Sequence, residues 1–283
     1  MEIGQTGIIT FSQSAIQPLV SGSSVLRADG IVDTSADFNI WKHGKKYDNL
    51  IFQKVFWKEM MKQFDGPKIL DLCDPDWILG DGNIVEIASL ADAITCSSVS
   101  LTNLLRNYFP EKIVVHIPDR LNFKLFPEPR KTSSEIATKT VWFGFINNAY
   151  ETLPPLFDIL RKHHLSLTII ANSEYVHPVE GVHTKFIKYS ADTAFEFIKN
   201  ADILLNPKSK RAYYKYKSNN KTVIGWKLGL PVAETAEDLE RLLLPAERIK
   251  EMTGKQEIVE SQYRVEQSAT QYREIITAIR NRL

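Results

Sequence analysis

Six cations crowd one short stretch of the 283-residue chain. Residues 208–221, KSKRAYYKYKSNNK, hold Lys208, Lys210, Arg211, Lys215, Lys217 and Lys221 and no acid. An apolar run, Ile203 to Leu205, ends just before them at Asn206-Pro207, as a buried strand ends at a turn. Ser218 is placed to cap a helix whose first turn holds Asn219, Asn220 and Lys221. That helix stops at Gly229, and Leu230, Pro231 and Val232 open a further strand. A helix N-terminus offers free N–H groups and the positive end of a dipole. Lysines placed there oppose the dipole, which makes sense if a phosphate sits between them. Lys217, Ser218, Asn219, Asn220, Lys221 and Arg211 are therefore candidate phosphate ligands. The competing reading is a solvated basic loop with an ordinary cap.

Other residues are candidates by position. Gly144, Phe145, Asn147 and Asn148 follow an apolar strand, and Gly144 permits a close backbone approach. Gly22, Ser23, Ser24 and Arg27 follow the first strand and would face an anion or an acceptor. Asp71, Asp74 and Asp76 cluster at a strand end. Asp74 is the candidate base there, because Asp71 lies within the strand and Asp76 is placed to cap the next element. Asp-Pro-Asp is also a common turn. The six histidines show no ligand spacing, and Cys73 and Cys96 make neither a disulfide framework nor a zinc pattern. No metal site is expected. No dinucleotide fingerprint, Walker A sequence or nucleophile elbow occurs.

The elements that must position these residues alternate. Apolar runs at Thr6–Phe11, Ile31–Asp33, Asn49–Phe52, Lys68–Cys73, Ala91–Cys96 and Lys112–Ile117 are separated by turns and amphipathic stretches. The alternation stops from Pro118 to Lys139, which is rich in proline and hydroxyl residues. It resumes at Thr140–Phe143, Leu165–Ala171, Thr184–Ile187, Ile203–Leu205 and Leu230–Val232. Ser190 is expected to cap a helix carrying Ala194, Phe195 and Ile198. A last long helix is expected from Gln256 to Ile279. This pattern predicts an α/β chain with two mostly parallel sheets covered on both faces. The expected organisation is an N-terminal domain over 1–119, a linker over 120–139, a second domain over 140–255 and a C-terminal helix over 256–283. Such sheets bind ligands beyond the carboxyl ends of their strands, with a cleft between the halves as the default site. A net charge of +1 argues against general nucleic-acid binding and hence against a DNA partner. With no signal sequence or bilayer-spanning run, a cytoplasmic protein is expected.

The second half resembles the donor-binding domain of GT-B glycosyltransferases, nearest the glycosyltransferase 1/4-like group. ADAITCSS (91–98) and VVHIPDRLN (114–122) look like the strand, turn and crossover that end the family's first domain. VWFGF (141–145) looks like the opening strand and glycine turn of its second domain, and LTIIAN (167–172) and FIKYS (186–190) like the next strands. ADILLNP (201–207) and KSNNKTVIGWKLGLPVA (217–233) follow in order. The resemblance covers residues 85–235. It implies two Rossmann-like domains facing a cleft, with the C-terminal helix packing back on the first.

The resemblance implies that Lys217 to Lys221 and Arg211 meet the diphosphate of a nucleotide sugar, and that Lys188 and Tyr189 border its base. It implies a metal-independent transfer of the sugar to a hydroxyl of a carbohydrate or glycolipid, with the nucleotide sugar as co-substrate and no further cofactor. Polysaccharide or glycolipid synthesis with peripheral membrane association would fit. The retaining members carry two glutamates eight positions apart; the corresponding positions here are Tyr216 and Ile224. That departure supports a second hypothesis, a non-catalytic nucleotide-sugar or phosphate-ligand binding protein or partner subunit. A third is RNA binding through 208–221, where Tyr213, Tyr214 and Tyr216 interleave with lysines.

Overall fold

The computed structural model describes residues 6–10, 32–33, 48–54, 56–80, 83–176, 179–190 and 193–282. Gly22, Ser23, Ser24 and Arg27 lie outside the described residues. The described strands are β1 Thr6–Thr10, β2 Val32–Asp33, β3 Asn49–Gln53, β4 Lys68–Leu72, β5 Ala93–Cys96, β6 Ile113–His116, β7 Lys139–Gly144, β8 Ser166–Ala171, β9 Thr184–Lys188, β10 Ile203–Leu205 and β11 Val232–Ala233. The described helices are α1 Lys58–Gln63, α2 Ile84–Leu90, α3 Val99–Tyr108, α4 Ile146–Thr152, α5 Phe157–Lys162, α6 Ala194–Lys199, α7 Asn220–Lys227, α8 Ala236–Arg241, α9 Pro245–Met252, α10 Lys255–Gln262 and α11 Val265–Arg280.

The chain forms two compact units. The first takes residues up to Asn122, Ala212–Asn219 and everything from Tyr263 on. Its sheet runs β2-β1-β3-β4-β5-β6 with every pairing parallel. β3 is buried along its whole length, as a parallel strand covered on both faces must be. One side of the sheet carries Leu50, Phe52, Leu70 and Ile94 with Met60, Met61, Ile87, Leu101 and Leu105. The other carries Ile51, Ile69 and Ala93 with Val265, Ala269, Tyr272, Ile276 and Ile279 of α11. Asn83 caps α2, and Ser98 caps α3 by accepting from the Leu101 N–H at 3.1 Å. The same Ser98 hydroxyl donates to the Tyr216 carbonyl at 2.6 Å. It thereby ties residues 212–216, a 3-10 turn, to this unit.

The long C-terminal helix expected from the sequence is two helices. Leu121 explains the break. Its N–H donates to the Tyr263 carbonyl at 2.9 Å and its carbonyl accepts from the Val265 N–H at 3.2 Å. The backbone at 263–265 spends these groups on a strand-like bridge instead of a helical ladder.

The second unit comprises Phe123–Arg211 and Asn220–Gln262. Its sheet runs β11-β10-β7-β8-β9, again all parallel. Trp142, Leu167, Ile169, Ile203 and Leu205 form its core with Leu153, Leu160, Leu239 and Leu242. The proline-rich stretch read as a linker is built into this unit from Phe123 on. Arg248 is only 1% exposed and explains why. Its guanidinium donates to the carbonyls of Leu242 (2.9 Å), Leu243 (2.7 Å), Ser133 (3.2 Å) and Glu135. Arg130 reaches the Ala201 carbonyl and Asp202, whose other oxygen accepts from the N–H groups of Thr138 and Lys139 at 3.0 Å. Gly229 ends α7 with φ of +81°, and a Cβ there would come 2.2 Å from the Arg130 carbonyl oxygen.

Candidate functional site

Parallel strands bring their carboxyl ends to one edge, and in the second unit that edge collects polar side chains. Gly144 closes β7 at φ of +151°. The Lys221 ammonium lies against it, 2.8 Å from where a Cβ would stand. Lys221 also lies 4.5 Å from the centre of the Trp142 ring and 5.4 Å from that of Phe143. These aromatic faces stabilise a cation at the N-terminal turn of α7, where the dipole alone would disfavour it.

The next residue, Thr222, links two strand ends. Its hydroxyl accepts from the Asn206 amide at 3.1 Å and donates to Glu234 Oε1 at 3.2 Å. Asn206 follows β10 and Glu234 follows β11. Glu234 Oε1 also pairs with Lys208 at 3.1 Å. On the other side of this loop, Glu151 Oε1 accepts from Ser209 and pairs with Arg211 at 3.0 Å. Two of the loop's cations are thus answered by carboxylates far away in sequence.

Helix α4 begins right after Phe145. Asn147 and Asn148, expected in a turn, are in its first turn instead. The reason is a side chain after β8: Asn172 Oδ1 accepts from the Ile146 N–H at 2.9 Å and starts the helix early. Phe145 remains exposed. Lys188 and Tyr189 stand at the end of β9. The Tyr189 hydroxyl is buried with no protein partner, and burial pushes its pKa up to about 12.

Other predicted ligands sit in the first unit. The helix expected to begin at Ser218 begins at Asn220. Ser218 is not its cap, because its hydroxyl donates to Asp119 Oδ2 at 2.5 Å. Asn219 donates from its amide to the Tyr263 hydroxyl at 3.1 Å. Lys217 pairs with Asp74 at 3.4 Å and lies over the rings of Tyr213 and Tyr214. The structure therefore brings Asn220, Lys221, Gly144 and Phe145 into the second unit, and places Lys217, Ser218 and Asn219 in the first.

Asp74 anchors a second charged cluster. It takes Lys54 at 2.7 Å as well as Lys217, and Asp76 takes Lys54 at 3.3 Å. Lys54, directly after β3, sits in the left-handed region, φ 51°, a strained conformation for lysine that these bonds hold. Burial works against the Asp74 charge, but the two lysines outweigh it and keep its carboxyl below the ordinary range. Burial instead pushes Asp119 up to about 7, with the Ser218 hydroxyl acting the other way. Asp71, deeper, accepts from Thr95 at 2.6 Å and Gln53 at 3.0 Å, and burial raises its pKa. Among the described residues no three histidine, cysteine or acidic side chains are placed to share a metal ion.

The sequence reading missed Glu234, Thr222, Asn206, Asn172, Lys54 and Asp119 as site residues. Four of the six, Lys54, Asn172, Asn206 and Glu234, directly follow a strand, which was the available signal.

No protein-family profile matches the chain, and no curated protein matches it in sequence. Solved structures do. The α-glucosyltransferase in complex with UDP and a 13-mer DNA containing an HMU base aligns with 97% of this chain and 100% of its own, at a TM-score of 0.64 and 10% identity. The chain has the fold of the GT-B glycosyltransferases. Sucrose-phosphate synthase from Thermosynechococcus elongatus matches at a TM-score of 0.65 and 13% identity, over 85% of this chain and 77% of that one. The pneumococcal O-GlcNAc transferase GtfA, in complex with UDP and GlcNAc, matches at 0.52 and 8%, over 82% of this chain and 56% of its own. Within a GT-B fold, the parallel sheets described above are the expected frame, and their carboxyl edges are where ligands bind.

Proposed function

We propose that the protein is a glycosyltransferase that moves a sugar from a nucleoside-diphosphate sugar to an acceptor hydroxyl. The observation that carries this reading is the likeness over nearly the whole chain to a transferase whose structure holds UDP, joined to the Lys221 ammonium held against Gly144 at a strand-end edge. Lys221 would face the diphosphate and offset its charge as it leaves. Asn220 and the exposed Phe145 flank it. Lys217, Ser218, Asn219 and Arg211 belong to the same proposal only if their present partners release them. Tyr189, with its unpartnered hydroxyl, and Lys188 would meet the base.

The first unit would hold a carbohydrate or glycolipid acceptor, and transfer would need no metal ion. Asp74 is the proton acceptor suggested by the sequence. Its two lysines reduce its basicity, which an acceptor that displaces them would restore. A cytoplasmic role in polysaccharide synthesis, with peripheral membrane association, belongs to the proposal as well. A DNA acceptor is not expected at a net charge of +1, and DNA containing an HMU base is a direct check.

The test is a thermal-shift panel of UDP, GDP, ADP, TDP and CMP on the wild type and Lys221→Ala. A ligand at a hundredfold excess over its dissociation constant stabilises by ~2.7 kcal/mol. A shift with one diphosphate, lost in the variant, supports the donor site. No shift with any of them sinks it. Donor turnover should persist in EDTA.

A second reading has its own observation. Ile224 is buried and Tyr216 packs into the first unit's core. Neither position carries a carboxylate, which suits a nucleotide-sugar binding subunit without transfer activity. Binding without hydrolysis or transfer would select it.

A further inference from the structure

We infer that Glu234 is a specificity-determining residue that accepts a hydrogen bond from a sugar hydroxyl of the bound donor. This rests on the nucleotide-sugar reading above. Glu234 directly follows β11, at the edge where β10 and β7 also end. Two side chains engage one of its oxygens. Lys208 pairs with Oε1 at 3.1 Å, and Thr222 donates to Oε1 at 3.2 Å. Thr222 is itself held by the Asn206 amide, and Asn206 is only 6% exposed. The Glu234 N–H donates to Asp238 Oδ2 at 3.3 Å and fixes the backbone. Oε2 is left with open acceptor capacity on a side chain 40% exposed.

An ordinary surface ion pair needs no such relay and adds little stability. An amide–hydroxyl–carboxylate relay instead sets the angle of one carboxylate, the kind of support a recognition group requires. Thr222, which orients the carboxylate, and Lys221 both belong to the first turn of α7. A ligand carrying both a diphosphate and hydroxyls matches the ammonium and the carboxylate. A carboxylate repels phosphates but accepts strongly from hydroxyls, so a carboxylate at this strand-end edge favours a glycosylated nucleotide over a bare one.

The experiment measures binding by calorimetry for the wild type and Glu234→Gln, with UDP, UDP-glucose and UDP-GlcNAc. Gln removes a negative charge near a diphosphate, so electrostatics alone would tighten binding. The inference expects the opposite, a loss of about tenfold or more. Loss confined to the UDP-sugars places the hydroxyl on the hexose, and equal loss with UDP places it on the ribose. Both outcomes support the inference. Unchanged or tighter binding of all three overturns it. If the wild type binds none of the three, the donor reading as posed with uridine nucleotides fails, and the inference falls with it. Should Glu234→Gln not fold, Glu234→Asp keeps the charge, shortens the reach, and is expected to show the same loss.

Discussion

Lys217 and Lys221 are four residues apart, yet their surroundings differ. Lys217 answers Asp74, while Lys221 lies on Trp142 and Phe143 at the glycine turn. Lys221→Ala should therefore abolish the nucleotide-induced thermal shift while the ligand-free melting temperature changes by only a few degrees. Asp119 supports a pH prediction. Its folded pKa of about 7 lies above the ordinary carboxylate value near 4. The native state then binds the extra proton between about pH 4 and 7. Its contribution to stability is greatest at the acid end and is lost as pH rises through 7. Asp119→Asn should flatten that part of a melting-temperature profile and raise stability at pH 8 relative to wild type. A profile of unchanged slope would refute the assignment. The Asp119 environment was not legible in the sequence, because its burial and its Ser218 partner come from a segment about a hundred positions away.

At the scale of elements, caps and close approaches decide what holds. Ser98 both caps α3 and ties down Tyr216. Ser98→Ala should cost about 1–2 kcal/mol from the cap and the lost hydrogen bond together. Limited trypsin digestion should then cut faster at Lys215 and Lys217. Gly229→Ala should cost more, at least ~2 kcal/mol, since it forces φ of +81° on alanine and drives a Cβ toward the Arg130 carbonyl. A drop in melting temperature of several degrees, seen by circular dichroism, checks it. Strands were readable because each is an apolar run between breakers. The early start of α4 and the late start of α7 were not. Asn172 and Asp119 decide them, and neither lies in the helix it affects.

Across the whole molecule, neither unit is one continuous stretch of chain. The first needs Val265, Ala269, Tyr272, Ile276 and Ile279 from the C-terminal helix on its sheet. A chain ended at Gln262 should lose the first unit's cooperative melting transition and expose apolar surface to a hydrophobic dye; a preserved transition would contradict this packing. The sequence by itself determined the parallel α/β character and the order of the strands along the chain, because the alternation of apolar runs and turns is local and burial follows from it. It also carried the glycosyltransferase-like resemblance. Only the tertiary structure decided which cations of the 208–221 loop are already paired. Glu151, Glu234 and Asp74 lie 60, 26 and 143 positions from their partners, and charge pairing depends on distance in space, which no local pattern encodes.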